Sequence, residues 1–334
     1  MIQTAPTNVI DLPLAPHAPV DLHLHTFVSD GIWHPKELID RLDQDGIRVA
    51  SVCDHDNQRS VVEAIDYGQR RGVHVIPGVE MTIRWDDRQW HMLVYGIRPD
   101  DERRETRPFL DLAERQDAVF QELALDARHR IEASGRPLPT LRTLEIHGPL
   151  MPVHVLRAMI ADRHVPRLKE AAELLVELGG NFTTDTPLEE MVDAVHAGGG
   201  VCLIAHPGRA DLGPAMTEET LDRMLQAAPV DGIECHYRTY TDRDTTFYRR
   251  LAEERGLLIG TGSDSHGAGV PVDPRPFRAA WSKALLHRLG VPVAPHEGPA
   301  WEQGMDPLVA PEPEEKQEAA DPAVDQADSR PGPR

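Results

Sequence analysis

Cysteine, long apolar runs and a hydrophobic leader are scarce or missing in this chain of 334 residues. Its three cysteines, Cys53, Cys202 and Cys235, stand in apolar runs without paired spacing, so we expect buried reduced thiols and neither disulfides nor a zinc knuckle. No apolar run approaches the length of a membrane span. The first residues contain Asp11 and several prolines and lack a basic start, so they do not resemble a signal peptide. We therefore expect a cytoplasmic protein that does not bind membranes.

Positive charge is also in short supply. The sequence has 35 Lys and Arg residues against 55 Asp and Glu residues, which gives a formal net charge of -20. This balance argues against an extended basic surface for nucleic acid. An anionic substrate would have to be attracted by bound cations and a few local arginines. From Asp306 to Arg334, eight acidic and three basic residues stand among repeated Pro, Ala and Gln, a composition that predicts a disordered tail.

Strands and helices alternate along most of the chain, which predicts an α/β fold with parallel strands and crossover helices. The segment Gln89–Ile97 follows an Asp-Asp turn and should pair with the preceding strand as a hairpin. The length fits either one large domain with an insertion or two smaller domains. A mostly helical pattern from Pro99 to Ala197 favours the insertion. We divide the chain into an N-terminal extension (1–18), a metal-binding barrel (19–98 and 199–300), a helical, substrate-selecting insertion (99–198) and an acidic tail (301–334).

Histidines and carboxylates stand at the carboxyl end of one predicted strand after another. In parallel α/β folds these ends meet at one rim, where active sites collect. Side chains alternate along a strand, so His23 and His25 should point the same way, while Leu22 and Leu24 enter apolar packing. The residues expected at the rim are His23, His25, Asp30, Asp54, His55, Asp56, Glu80, His91, His206, Glu234, His236, Asp264 and His266.

Each of these positions also has an ordinary structural interpretation. Asp30 precedes a glycine and could belong to a turn, His91 could be a core histidine, and Asp264 could cap a helix. These interpretations do not explain why seven consecutive strand ends carry His, Asp or Glu. Buried imidazoles and carboxylates at this density need cations. Nitrogen and oxygen ligands without thiolate suit Mn, Zn or Fe, and the number of candidates predicts two or three divalent ions.

Taken in order, the strand-end motifs resemble those of the PHP family, named for polymerase and histidinol phosphatase. The motifs are His23-x-His25, Ser29-Asp30-Gly31, Asp54-His55-Asp56, Pro77-Gly78-x-Glu80, Ala205-His206-Pro207 and Ser263-Asp264-Ser265-His266. The resemblance covers about residues 19–270. It implies a distorted (β/α)7 barrel with a trinuclear metal centre that hydrolyses phosphate esters.

The resemblance also implies how the ligands divide among three ions. The first ion would be held by His23, His25, Glu80 and Asp264. The second would be held by Asp30, His55 and His266. Glu80 would bridge to a third ion, completed by His91 and His206. Asp54, Asp56 and Glu234 would stand behind the ligands, where such carboxylates orient an imidazole.

Within the family, the helical insertion resembles the branch that removes the 3′-phosphate from nucleoside 3′,5′-bisphosphates and trims short RNA from the 5′ end. The run from His154 to Ile160 is similar to a helix start in that branch. His154 and Arg157 are three apart, so on a helix they share a face and could clamp a phosphate. The stretch Leu150–Val153 lacks the arginine expected upstream. That departure bears on the bisphosphate preference and leaves the metal ligands untouched.

Two more arginines are candidates for substrate contacts. Arg209 follows the His206 motif and Arg238 follows Glu234-x-His236, although either could form a surface salt bridge instead. His236 should face the same side as Glu234. It would then stand behind the ligands or act as an acid that protonates a leaving group.

We expect hydrolysis by a hydroxide that bridges the metal ions, because clustered cations lower the pKa of water and neutralise phosphoryl charge. The serines beside Asp264 lack a base and an orienting group, so no covalent nucleophile is expected. The expected substrate is a nucleoside 3′,5′-bisphosphate or a short 5′-phosphorylated RNA. Three alternatives stay open: a phosphatase for histidinol phosphate or a sugar phosphate, a metal-dependent hydrolase of amidohydrolase type, and a non-catalytic module that keeps metal for stability.

Overall fold

The computed structural model describes residues 12–143, 150–210, 213–267 and 273–305, and strands and helices alternate through them. The strands are β1 Pro19–Leu24, β2 Val49–Val52, β3 His74–Trp85, β4 Arg88–Tyr95, β5 Val201–Ile204, β6 Gly232–Tyr237, β7 Leu258–Gly262 and β8 Phe277–Arg278. The helices are α1 Pro35–Gln44, α2 Val61–Arg71, α3 Arg107–Ala133, α4 Pro152–Ala161, α5 Leu168–Glu177, α6 Leu188–Ala197, α7 Glu218–Ala227, α8 Asp242–Arg255 and α9 Lys283–Arg288. Among the described residues, no helix combines the length and the apolar character needed to cross a membrane. The predicted disorder of the acidic tail concerns residues 306–334, which lie outside the described residues.

The eight strands form one sheet in the order β7-β6-β5-β4-β3-β2-β1-β8. β4 runs antiparallel to β3 and β5, and β8 runs antiparallel to β1, whereas the other pairs are parallel. The chain after β7 returns to β1: Asp264 N donates to His23 O at 2.7 Å, and His25 N donates to Ser265 O at 2.9 Å. The sheet is therefore a nearly closed barrel. The expected distorted barrel and its hairpin are confirmed, and the reversed β4 is the distortion.

The end of β1 has the alternation that its sequence predicts. Leu22 and Leu24 are fully buried among apolar side chains, and burying a leucine contributes about 1.5–3 kcal/mol. His23 and His25 are equally buried, and their Nε2 atoms lie 3.1 Å apart. The apolar positions therefore hold the strand in the barrel, while the imidazoles meet at its carboxyl end.

Apolar side chains also close the end of the barrel where the strands begin. Val20 and Val201, near the starts of β1 and β5, pack in one cluster with Leu285 and Leu286 of α9. The sequence predicted no element after β7, so β8 and α9 are additions that cover this end. All three cysteines are free and buried, as predicted.

The described elements between β4 and β5 are all helical. The first half of α3 packs on the barrel, because Phe109 and Leu112 share an apolar cluster with residues of β3, β4 and α6. The second half of α3 forms a separate cluster with α4 and α5, in which Ile131, Met159 and Leu175 are fully buried. The helical segment thus has a small core of its own and a firm attachment to the barrel.

Candidate metal centre

The barrel brings four predicted ligands together from the end of β1, from β3 and from the residues after β7. Glu80 Oε2 lies 3.1 Å from His23 Nε2 and 3.2 Å from His25 Nε2. Asp264 Oδ1 lies 3.0 Å from His25 Nε2 and 3.6 Å from His23 Nε2. One ligand atom from each of the four residues fits within 4.8 Å of all the others. This first group has the same members as the set that the sequence predicted for the first ion.

A second group shares His25 with the first. Asp30 Oδ1 lies 3.0 Å from His266 Nε2, 3.7 Å from His25 Nδ1 and 3.8 Å from His55 Nε2. The sequence predicted Asp30, His55 and His266 for the second ion, and the structure brings all three together. His25 joins them because its two ring nitrogens face different groups.

Glu80 connects the first group to a third. Its Oε1 lies 3.1 Å from His91 Nδ1 and 2.8 Å from His206 Nε2, which are the two partners predicted for the third ion. His55 also approaches this carboxylate, with its Nδ1 at 3.4 Å from Oε2. The structure therefore places His55 between the second and third groups.

The chemistry of these side chains fits divalent cations. His25 Nδ1 is buried and has no hydrogen-bond partner among the described residues, and an unpaired buried polar atom costs about 1–3 kcal/mol. Burial lowers the pKa of His55 to about 3, so its ring is neutral and keeps a lone pair for a metal. Burial would raise the pKa of Glu80, but the surrounding imidazoles, first of all that of His23, hold it well below its usual range. Burial would lower the pKa of His23 and His25, but the carboxylates around them, Glu80 among them, raise it well above the usual value at His23 and to about 10 at His25, so a bound cation would take the place of these protons. Imidazole nitrogens and carboxylate oxygens are ligands that Zn, Mn and Fe accept.

Comparisons with known proteins agree with this geometry. The PHP domain model matches residues 21–130. A 5′-3′ exoribonuclease of Haemophilus influenzae is 27% identical over 255 residues, which cover 74% of this chain and 89% of that protein. A 3′,5′-nucleoside bisphosphate phosphatase of Chromobacterium violaceum is 28% identical over 270 residues, which cover 75% and 88%. The chain contains a PHP domain. It is accordingly a metal-dependent phosphoesterase of the PHP type.

Two solved structures share the fold of this barrel. A protein of Bifidobacterium adolescentis superposes with a TM-score of 0.66 at 23% identity, covering 80% of this chain and 96% of its own. A structure from Chromobacterium violaceum, described as an amidohydrolase with bound sulfate and no metal, superposes with a TM-score of 0.64 at 27% identity. That alignment covers 76% of this chain and 89% of the other.

Behind the ligands of the PHP centre, Glu234 occupies the position that the sequence predicted. Its Oε1 lies 3.1 Å from His23 Nδ1, and its Oε2 accepts a hydrogen bond from the backbone N–H of His206 at 2.8 Å. Gly262 on β7 makes room for this arrangement, because a Cβ there would overlap with His23 and lie 2.7 Å from Glu234 Oε1. The Glu234 carboxylate thus orients the His23 ring of the first group. It also fixes the backbone of His206, whose ring belongs to the third group.

Asp54 and Asp56 do not orient an imidazole in the structure, and this part of the prediction is wrong. The Asp54 carboxylate accepts hydrogen bonds from Thr26 and from Ser29 Oγ, so it fixes the turn that carries Asp30. The Asp56 carboxylate accepts from the N–H and hydroxyl of Thr82 and from the amide of Gln116. Both carboxylates instead accept hydrogen bonds from hydroxyl and N–H groups, and these bonds fix the neighbouring backbone.

His236 is not in the centre, so the expectation that it faces the same side as Glu234 is wrong. The pairing of β6 with β7 has an irregularity between residues 234 and 236, which changes the side to which the later side chains point. The His236 ring stacks on Trp281 at 4.4 Å and hydrogen-bonds with Arg249. Tyr237 takes the position facing the centre, and its hydroxyl donates to Asp264 Oδ2 at 2.7 Å. No sequence signal marks such an irregularity.

Asp21 was also missed as a functional residue. Its carboxylate accepts from Ser263 N at 2.9 Å, from Ser263 Oγ at 2.6 Å and from Arg275 N at 3.1 Å. Burial raises the pKa of Asp21 to about 7. The residue joins the end of β7 to β1 directly beneath the ligands. Its spacing of two from His23, which puts both on one face of the strand, was the available signal.

The predicted substrate-binding side chains border the ligand groups from different sides. Arg157 Nη1 donates to the backbone oxygen of Asp30 at 2.5 Å, with 37% of the side chain exposed. His154 accepts a hydrogen bond from Met151 N, and burial lowers the pKa of its ring. Arg209 Nη1 lies 3.4 Å from Asp264 Oδ2. Arg238 also reaches Asp264, but its Nη1 is engaged there and with Ser263 O, and only 8% of the side chain is exposed.

Three residues of the centre have left-handed backbone. Their φ angles are 55° at Asp56, 27° at His206 and 51° at Asp264. A residue other than glycine in this region costs of the order of 1–3 kcal/mol, and such residues cluster at functional sites. The hydrogen bond that Glu234 accepts from His206 N and the one that Tyr237 donates to Asp264 help to hold this strained backbone in place.

A further group, His196, Cys202 and Asp231, also has ligand atoms close together, outside the centre. Asp231 Oδ2 already accepts from Cys202 N at 2.9 Å and lies 2.9 Å from His196 Nε2. Burial raises the pKa of the Cys202 thiol far above its usual value, so it remains protonated. These residues tie the end of α6 to the strands and are not suited to a metal.

Proposed function

We propose that this PHP phosphoesterase removes the 3′-phosphate from nucleoside 3′,5′-bisphosphates and also hydrolyses short 5′-phosphorylated RNA. The observation that carries the proposal is the set of three overlapping ligand groups with Arg157 beside one and Arg209 beside another. A small phosphate monoester with a second anionic group fits this distribution of charge. The relatives named as a bisphosphate phosphatase and as an exoribonuclease support the same substrate class.

Three divalent cations, Mn, Zn or Fe, would occupy the groups. The first would be held by His23, His25, Glu80 and Asp264. The second would be held by His25, Asp30, His55 and His266. The third would be held by Glu80, His91, His206 and His55. Bound there, the cations would supply Lewis acidity that neutralises phosphoryl charge and makes water a better nucleophile.

The protein's own side chains would bind and orient the substrate. Arg209 stands beside Asp264 with 25% of its side chain exposed, so it can turn toward a phosphoryl oxygen near the first group. Arg157 comes from the helical insertion and stands at Asp30, on the second group. Two guanidinium groups on different sides would hold the two ends of a bisphosphate and restrict its orientation. The insertion would select the substrate through this contact.

The hydrogen bond of Ser263 disfavours a covalent route in which a serine is the nucleophile. Ser263 Oγ donates to Asp21, a buried carboxylate whose pKa is raised to about 7 by burial. That hydroxyl is therefore committed to holding β1 and the end of β7 together. Water is the nucleophile that the proposed reaction requires.

A screen for hydrolysis products tests the proposal. Metal-stripped full-length protein, supplied with Mn, is incubated with nucleoside 3′,5′-bisphosphates, 5′-phosphorylated oligoribonucleotides, a cyclic phosphate diester, histidinol phosphate and sugar phosphates. We expect inorganic phosphate from the bisphosphates, nucleoside 5′-monophosphates from the oligoribonucleotides, and no product from the other classes. His25→Ala should abolish both activities, because His25 belongs to two ligand groups. His196→Ala is the matched control, since that histidine also faces an aspartate but lies outside the centre.

Other outcomes of the screen separate the alternatives. Release from histidinol phosphate alone would overturn the role given to the insertion. Cleavage of the cyclic diester alone would favour the activity named for a relative of Eggerthella lenta, a phosphoribosyl 1,2-cyclic phosphate 1,2-diphosphodiesterase that is 25% identical over 265 residues. Turnover of amides without phosphate release would favour the amidohydrolase alternative.

A further inference from the structure

We propose that Tyr237 is a positioning residue that fixes the Asp264 carboxylate, so that one oxygen of this carboxylate stays directed at the metal ligands. The inference rests on the proposed metal centre. Regular alternation of side chains along β6 would direct this residue away from the centre.

The irregular pairing of β6 brings Tyr237 to the centre. Regular alternation from Glu234 would direct His236 inward, but the pairing with β7 shifts between these two residues. The ring of Tyr237 consequently packs edge-on against His206 at 5.5 Å, and only 4% of the residue is exposed. Arg238 covers the ring from one side, with its guanidinium carbon 4.6 Å from the ring centre. The hydroxyl therefore has a fixed position.

The two oxygens of Asp264 have different surroundings. Oδ1 faces the ligand side, at 3.0 Å from His25 Nε2 and 3.6 Å from His23 Nε2. Oδ2 accepts a hydrogen bond from the Tyr237 hydroxyl at 2.7 Å and lies 2.6 Å from Arg238 Nη1. Because the donors on Oδ2 prevent rotation of the carboxylate, Oδ1 remains on the side of the histidines.

Tyr237 and Arg238 contribute differently to this arrangement. Arg238 Nη1 also donates to the backbone oxygens of Ser263 and Asp264, so it holds the strained turn as well as the carboxylate. The tyrosine hydroxyl donates to the carboxylate and, among the described residues, to no backbone oxygen. The tyrosine is neutral and adds no charge beside the ions. An ordinary tyrosine has a pKa of about 10, so the hydroxyl is protonated and can donate at neutral pH.

A hydrogen-bond donor that fixes a metal-binding carboxylate typically contributes about 10–100-fold to metal affinity. Tyr237→Phe removes only the hydroxyl and keeps the buried ring. We expect this variant to bind Mn about tenfold or more weakly than the wild type. Tyr248→Phe is the matched control, because Tyr248 is similarly buried but its hydroxyl donates to Met216 O, away from the ligands.

The experiment uses metal-stripped full-length protein. Mn binding is measured by calorimetric titration, and the absorption spectrum of added Co reports the ligand geometry. Thermal unfolding of the metal-free variants shows whether the fold survives. We expect Tyr237→Phe to unfold within a few degrees of Tyr248→Phe, to bind Mn weakly and to give an altered Co spectrum. Excess Mn should restore its phosphate release, which a general loss of structure would not allow.

Two results would overturn the inference and can be told apart. Equal Mn affinity and equal Co spectra for Tyr237→Phe and the wild type would remove the positioning role and leave the proposed function standing. Failure of the wild type itself to bind Mn, Zn or Fe would remove the metal centre together with the role of Tyr237. A variant that unfolds without metal and is not rescued by Mn would assign Tyr237 to stability and likewise overturn the inference.

Discussion

Glu80 Oε1 lies 2.8 Å from His206 Nε2, although the two residues are 126 positions apart in the chain. The contact joins the strands that precede the helical insertion to those that follow it. The same carboxylate approaches His23 and His25 through Oε2, at 3.1 and 3.2 Å. Glu80 therefore connects the first ligand group to the third, and the centre is complete only when both halves of the barrel have formed.

Replacing Glu80 by Gln should remove the connection at constant size. The amide cannot carry the charge that balances the surrounding imidazoles, so we expect a loss of at least one ion per chain and a fall in phosphate release of about 100-fold or more. Metal content after dialysis and the rate of release at saturating substrate check this. Glu63→Gln, at an exposed salt bridge with Lys36, is the control. Full metal content in Glu80→Gln would contradict the bridging role.

Arg157→Ala tests whether the insertion recognises the phosphate that is not cleaved. A charge-assisted hydrogen bond to a phosphate contributes about 1.5–3 kcal/mol, so we expect KM for a nucleoside 3′,5′-bisphosphate to rise by about tenfold or more. KM for a nucleoside 3′-monophosphate should change little. Arg115→Ala, on α3 and paired with exposed Glu190, is the control.

Metal content must be measured alongside, because Arg157 also contacts Asp30. Equal rises in KM for both nucleotides would show that Arg157 acts on the reacting phosphate or on the metal centre itself. In both cases Arg157 would no longer be assigned to the second phosphate.

The metal ligands were predictable because His, Asp or Glu recurs after one predicted strand after another. Apolar alternation fixed the direction of His23 and His25, and glycines and turns separated most helices from strands close to their observed ends. The side chains behind the ligands were less predictable. Whether Asp54 meets an imidazole or the donors of Thr26 depends on the path of a turn, and sequence spacing does not define that path.

Irregular backbone accounts for the other departures. The shift in β6 exchanges His236 for Tyr237, and it arises from strand pairing between residues far apart in sequence. The two-residue strand β8 and the short helix α9 are stabilised by packing on the barrel, because Leu285 and Leu286 join its apolar cluster. Tertiary contacts, which local propensity does not contain, determine both features.

His236 should make stability depend on pH. Burial lowers the pKa of its ring well below the usual value, so the folded protein keeps it neutral while the unfolded chain binds a proton below a pH of about 6.5. The stability that this residue provides is therefore fully present above that pH and is lost as the pH falls below it, by at most about 1.4 kcal/mol per pH unit.

Urea unfolding of metal-free protein between pH 7 and pH 5 checks this. The slope of the unfolding free energy against pH should be smaller in His236→Gln than in the wild type. His129→Gln, at an exposed position on α3, should keep the wild-type slope. A His236→Gln slope equal to that of the control would show that the ring titrates normally in the folded state.

Gln116 of α3 should couple the insertion to the centre. Its amide donates to Thr82 O at 2.6 Å and to the Asp56 carboxylate. Asp56 directly follows His55 in the chain, and its carboxylate also accepts a hydrogen bond from Thr82 N. Gln116→Met keeps the size but leaves a buried carboxylate and a buried carbonyl short of a donor, which costs about 1–3 kcal/mol for each. We expect the free energy of unfolding to fall by about that amount.

Gln121→Met is the control for this prediction. Gln121 lies on the same helix and hydrogen-bonds to Asp117, but its replacement should lower the free energy of unfolding much less, because Gln121 is only half-buried. If urea unfolding gives both variants the same stability, the contact with Asp56 does not anchor the insertion.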